Sequence, residues 1–376
     1  MKSLSYSVFM FLLLVSCEKE ELFWKGNISE DFQGQFLYGK DLAPFEPFSY
    51  DSRVELFILN SDGESQVTSN CPDNTCSKLD IKWVGTQQFS YADLDDNFID
   101  RVYLSSSNGD YRQILNEKIS DSDFFGDDLL LATVKDLNPG NPNSISILSL
   151  YQWDQQLNLH LVDTVIRQSD WGFLNSVTFS PDGEKVATLL NTFDMPSLLV
   201  YSFENSELSL RYDIDIESSS YGSVNWTDYT WSSHSGRIAV VSDFDILVVS
   251  EDGSSFINLT ATPDVRETGP AWSPAEESLA FIRSSEFQDE IVIFDLDLMA
   301  ETSVFSSTDM NYYSNLIWSA DGQYIAFNGY LRDKSNGTNI HDFPIIESGM
   351  FIIRKNGTGL IRISGNARDF DWKTEE

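Results

Sequence analysis

The chain has 376 residues and 41% hydrophobic content, enough to bury a large core, and all-β closed folds reach this size as one unit. Its 59 acidic residues against 24 basic ones leave a formal net charge of −35, which excludes nucleic acid as a partner because binding it needs a basic footprint. Cations, basic proteins and neutral glycans stay compatible, although a solvated acidic surface accounts for most of this charge.

The first element is a leader. Lys2 supplies a minimal positive region, and Val8 to Val15 form an apolar run too short to span a bilayer as a helix. The run ends in Leu14-Val15-Ser16-Cys17, which resembles the lipobox of bacterial lipoproteins. That resemblance implies a signal peptide over residues 1–16 and a lipidated Cys17. The acidic cluster Glu18-Lys19-Glu20-Glu21 resembles the surface-export signal of Bacteroidetes lipoproteins. Together these imply an outer-membrane protein, periplasmic or surface-exposed, that touches the membrane through lipid alone. Residues 17–50 read as the lipidated Cys, a tether and a candidate outer strand of the closing blade at Phe36-Leu37-Tyr38, with Pro44 and Pro47 marking linker or a wrapped segment. Cys71 and Cys76 close a small loop in C-P-D-N-T-C; an oxidising envelope permits a disulfide, and a metal pair is the alternative.

Residues 51–376 are predicted to form a single domain of repeated strands. An aromatic anchor opens each repeat at Trp83, Phe124, Phe179, Trp231, Trp272, Trp318 and Trp372, roughly 40–55 residues apart. The sharpest copy, Leu316 to Phe327, reads as two strands joined by a tight turn at Asp321-Gly322. A small residue follows most anchors at a fixed strand position: Ala132, Ala187, Ala239, Ala280 and Ala326. A second hairpin follows, with turns near Asp62, Asn108, Asp154, Asn205, Asp252, Asp297 and Asn356. The first hairpin, Glu55 to Val67, has no opening phrase before it, and the last phrase, Asp369-Phe370-Asp371-Trp372, has no hairpin after it. A ring joins these halves into one composite blade and removes open sheet edges.

The phrase W/F-S-P-D-G followed by an apolar strand and an Asn/Asp-Gly hairpin resembles the WD40-like repeats of TolB-type β-propellers. The likeness covers roughly residues 50–376, and Trp83 and Phe124 open degenerate copies. It implies an all-β propeller. The repeat count gives seven four-stranded blades closed by pairing of the C-terminal strand with the N-terminal hairpin, with six or eight as alternatives.

Tight turns fall on one face of such a ring, and the long loops on the other, where binding is expected. Asp93, Asp95, Asn97 and Asp100 place alternate oxygens in a tight loop that suits Ca²⁺ and resembles the calcium loop of FG-GAP repeats, although Phe98 replaces the central Gly. An acidic solvated turn is the competing reading. Trp171, Phe173, Tyr221, Trp226, Tyr229, Tyr312 and Tyr313 are candidates for stacking on sugars or anchoring a partner, against simple packing beneath their loops. The insertion from Leu331 to Gly349, with Arg332 and His341, is a candidate lid or interaction loop.

Catalytic signatures are missing from the sequence. The three histidines His160, His234 and His341 lie in different repeats, and no G-x-S-x-G elbow, P-loop or dinucleotide fingerprint occurs. The leading expectation is a lipid-anchored, non-enzymatic scaffold for an envelope protein partner. The alternatives are a glycan-binding or glycan-processing lipoprotein and a calcium-dependent propeller enzyme.

Overall fold

The computed structural model describes residues 34–41, 54–60, 63–67, 77–84, 88–94, 100–106, 111–126, 130–137, 142–154, 158–169, 172–192, 196–216, 228–262, 265–285, 289–307, 310–312, 315–332, 345–365 and 367–373. They form a ring of seven antiparallel sheets with no helix among them. The inner strands, in ring order from blade 1, are Ala367–Lys373, Ser77–Val84, Asp121–Phe125, Phe173–Phe179, Tyr229–Trp231, Arg266–Trp272 and a split strand, Met310–Tyr312 plus Ile317–Trp318. Three further strands extend each blade outward.

Blade 1 is composite, as the repeat phasing requires. Ala367–Lys373 pairs with Gln35–Asp41, in register Phe36↔Trp372 and Tyr38↔Phe370, and Val54–Asn60 and Gly63–Val67 follow outward. The strand holding Phe36, Leu37 and Tyr38 does belong to the closing blade, but it stands second from the centre instead of outermost, and the propeller takes in residues before position 51. The reason is visible in its burial. All three side chains are fully buried, Phe36 and Tyr38 against blade 7 and Leu37 against blade 2. Burial on both faces belongs to an interior strand.

Seven apolar clusters hold the ring, and each straddles the seam between two neighbouring blades. Strand pleating explains how one strand serves two clusters. In Lys185–Asn191, Val186 and Leu190 face blade 3, whereas Ala187 and Leu189 face blade 5. The small residues Ala132, Ala187, Ala239, Ala280 and Ala326 are all fully buried. The anchors Phe179, Trp231, Trp272, Trp318 and Trp372 are buried too, and the degenerate anchors Trp83 and Phe124 are half-buried.

Turn chemistry connects the inner two strands. Ser180 donates its hydroxyl to Asp182 at 2.5 Å, the Glu184 N–H donates to the same oxygen at 3.0 Å, and Gly183 takes φ +71°. Ser319, Asp321 and Gly322 repeat this geometry, with the Ser–Asp bond at 2.6 Å and φ +64° at the glycine. These aspartates are turn formers, as their S-x-D-G setting predicts.

Candidate functional site

The inner strands bring side chains from distant parts of the sequence to the centre of the ring. A cavity of about 340 Å³ opens there among blades 1, 2, 3 and 7, with Lys82, Asp123, Asn315, Asp369 and Asp371 among its polar lining. Trp83, Phe124 and Phe370 supply apolar walls.

Its carboxylates are bonded in a repeated pattern. Asp369 and Asp371 of blade 1 accept the backbone N–H groups of Ile81 and Trp83 of blade 2, at 3.0 and 2.7 Å. Asp121 and Asp123 of blade 3 accept those of Val177 and Phe179 of blade 4, at 2.7 and 2.8 Å. Both pairs stand one and three residues before their own anchor, Trp372 or Phe124. The local reason is that each receiving strand is innermost and paired along one edge only, so alternate N–H groups, of Ile81 and Trp83 in blade 2 and of Val177 and Phe179 in blade 4, find no strand partner. The open edge of a strand presents backbone donors for which an acceptor must be found. Asn315 joins the network by donating its side-chain amide to Asp369 at 2.7 Å.

Lys82 is the cation of the cavity wall, 3.5 Å from Asp123 and donating to the Ser122 carbonyl at 2.8 Å. Burial pushes the Asp371 carboxyl up. The N–H groups of Trp83 and Trp372 and the Lys82 ammonium pull it back, while the Asp123 charge adds to the rise. These carboxylates thus act as hydrogen-bond acceptors for the fold. Among the described residues, no group of three or more His, Cys, Asp or Glu side chains is placed to hold a metal ion.

The expected site residues are scattered relative to this centre. Tyr229 does not lie on a loop. It is 4% exposed in the seam of blades 4 and 5, and its hydroxyl donates to the Ala187 carbonyl at 2.6 Å. Two residues before Trp231, it shares that anchor's face of the strand, and both side chains pack into the same cluster. Phe173 is half-buried at the start of its strand, opposite Asn191. Tyr312 pairs with Gly329, and Arg332 pairs with Ile345. Asp93 is next to last in one strand of blade 2 and Asp100 is first in the next, opposite Arg101 and Leu94. Cys17, Cys71, Cys76, Asp95, Asn97, Trp171, Tyr221, Trp226, Tyr313 and His341 lie outside the described residues.

The two described histidines tie turns together. His160 meets Asp154 at 2.8 Å, and His234 meets the Pro274 carbonyl at 2.6 Å. What sequence reasoning missed is the seam role of Asp121, Asp123, Asp369 and Asp371. The available signal was Asp-x-Asp directly before an aromatic anchor, because acids at alternate positions of a buried strand need partners.

No family model and no curated protein matches this chain. Solved structures do resemble it. The Pseudomonas aeruginosa periplasmic gluconolactonase aligns at TM-score 0.55 and 12% identity, over 91% of this chain and 99% of that one. An oligogalacturonate lyase in complex with manganese aligns at TM-score 0.55 and 12% identity, over 89% and 86%. TolB from Acinetobacter baumannii aligns over 99% and 74% at 15% identity, with a TM-score of 0.49. The first two likenesses are of the propeller fold alone, and the third is too loose to argue from.

Proposed function

We propose that the protein is a lipid-anchored cell-envelope β-propeller that acts as a non-enzymatic platform for a protein partner. The observation that carries this reading is the bonding of the central aspartates. Four inner-strand carboxylates, three of them lining the central cavity, accept backbone N–H groups of the next blade, so their chemistry serves the ring. The face carrying the long loops is then the working surface, on a scaffold whose seams are closed by apolar burial. Anchorage through Cys17 to the outer membrane rests on the leader and its lipobox, and a periplasmic protein stands among the fold neighbours.

The test is crosslinking in intact cells followed by purification of this chain and mass spectrometry. A reproducible, near-stoichiometric envelope protein crosslinked through residues 163–175, 215–228 or 331–349 supports the platform. Recovery of the chain alone, under conditions that capture a known envelope complex, rejects it.

A second reading is recognition or processing of a carbohydrate. It is favoured by the names of two fold neighbours, a gluconolactonase and an oligogalacturonate lyase. Stabilisation of the purified chain by one sugar of a broad panel supports it, and no response across the panel rejects it. Ca²⁺ at Asp93, Asp95, Asn97 and Asp100 belongs to a third reading, in which a chelator lowers the unfolding midpoint.

A further inference from the structure

The inner strands of blades 1, 3 and 5 each carry an aspartate three residues before the anchor: Asp369, Asp121 and Asp228. Their registers are equivalent. Trp372 pairs with Phe36 and Asp369 with Gly39; Phe124 pairs with Leu131 and Asp121 with Val134. In blade 5 Trp231 pairs with Ile238, and the Asp228 carbonyl accepts the Val241 N–H at 2.8 Å. All three aspartates therefore reach the same level of the same seam face.

Two of them have a donor waiting in the next blade, and the third does not. Asp369 takes the Ile81 N–H and Asp121 takes the Val177 N–H, each from the residue two before the neighbouring anchor. In blade 6 that residue is Pro270. The strand bulges here, between Thr268 and Ala271, but proline has no N–H to offer. The flanking Gly269 and Ala271 bring no polar side chain. Among the described residues, the carboxyl of Asp228 accepts from the Tyr229 N–H and from no other group. The side chain is open to solvent. Burial of its surroundings pushes the carboxyl up to about 6, which leaves it ionised at neutral pH. Among the described residues, the fold thus holds an anion where its two counterparts bind N–H donors of the next blade, and blade 6 supplies none.

We propose that Asp228 is a recognition carboxylate for a cationic N–H donor, an ammonium or guanidinium group, received at the inner seam of blades 5 and 6. A free amine and a Lys or Arg side chain of a partner segment present the same chemistry. The inference goes beyond the platform reading and does not depend on it, because a small cation satisfies the site as well as a partner's side chain does. Hydrogen-bond donation is part of the requirement, since the position is defined by what its counterparts accept.

The experiment measures the thermal midpoint and calorimetric binding of the full chain at pH 7.5 and constant ionic strength. The probes are methylguanidinium, ethylammonium and tetramethylammonium chlorides, with an Arg-containing tripeptide and its citrulline counterpart. The variants are D228N, which removes the charge in the same volume, and P270A, which restores an N–H at the capping position. The two donor cations are expected to bind and raise the midpoint, and tetramethylammonium is expected not to. Binding is expected to fall by about tenfold or more in both variants. Tighter binding of the Arg tripeptide than of methylguanidinium assigns the cation to a partner side chain, and equal binding assigns it to a free amine; both support the site. Donor binding that survives D228N unchanged overturns the proposal, as does an equal response to tetramethylammonium or the absence of any donor binding to the wild type.

Discussion

Adjacent inner strands are tied in two chemically different ways at four of the seven seams. From blade 1 to 2 and from blade 3 to 4, side-chain carboxylates accept backbone N–H groups. From blade 5 to 6 and from blade 6 to 7, the anchor indole donates instead to a backbone carbonyl. Trp272 bonds the Thr230 carbonyl at 3.1 Å, and Trp318 bonds the Ala271 carbonyl at 3.0 Å. In each case the acceptor residue is the one just before the preceding blade's anchor. At that position an aspartate reaches the neighbour's main chain, whereas Thr or Ala leaves its own carbonyl to the neighbour's ring. The first kind of tie needs an ion kept in a desolvated place. The second is neutral, and its donor belongs to a side chain already buried for packing.

The harshest way to break the comparison is to delete Asp369 to Glu376. This removes the inner strand of blade 1, its Trp372–Phe36 contact at 4.7 Å and both carboxylate ties to blade 2. Loss of the cooperative transition in circular dichroism is expected, and an unchanged midpoint would refute ring closure. Next comes Trp272→Ala, which should cost about 3–5 kcal/mol in denaturant unfolding. Trp272→Phe keeps most of the packing and isolates the indole tie, at about 1 kcal/mol. Between these lie Asp371→Ala and Asp123→Ala. Each strands a seam N–H, of Trp83 or Phe179, and should cost about 1–3 kcal/mol. If Asp371→Ala costs less than Trp272→Phe, the carboxylate ties are not the stronger kind.

The smallest effects are in pH dependence, and their signs are opposite. The folded-state carboxyl of Asp228 is raised from 3.8 to about 6, so folded protein binds more protons between those values. Its contribution to stability is full below about pH 4 and is lost as pH rises through about 6. Relative to D228N, the wild-type midpoint should therefore fall over that window. Hydrogen bonds from Ser250 and Ser254 hold the turn carboxyl of Asp252 down to about 2. Its contribution is present above the ordinary carboxylate value and disappears as pH falls toward 2. The gap between wild type and D252N should close in acid. Midpoints measured from pH 2 to 8 test both.

Ring, blade count and composite closure were all legible, because turns and aromatic anchors are local signals repeated with a period. The S-x-D-G turns were legible for the same reason. The seams were not. Whether Asp121 meets the Val177 N–H depends on how two blades are set against each other, and a contact between residues 56 apart in the chain leaves no local signature of its partner. Of the two readings offered for the aromatic set, Tyr229 takes the packing one, because it begins a strand and shares the buried face of Trp231, and composition alone does not tell a stacking aromatic from a packed one. Phe36-Leu37-Tyr38 was legible as a strand of the closing blade but not in its place there, because three apolar residues in a row state burial on both faces without saying which neighbours provide it.

The joining of Gln35–Asp41 to Ala367–Lys373 also sets an order of events. On a chain made from its N-terminus, the second strand of blade 1 exists long before its inner partner. Until the last strand arrives, its hydrogen-bonding edge is unpaired and the apolar faces of blades 1 and 7 are uncovered. Contacts between such distant positions carry a high loop-closure entropy and form late. The ring is therefore most exposed to misassembly just before completion, when six blades can stand and the seventh gap is still open. A holding factor in the compartment where the chain folds would act on that intermediate, and its binding surface would be the edge that residues 367–373 later cover.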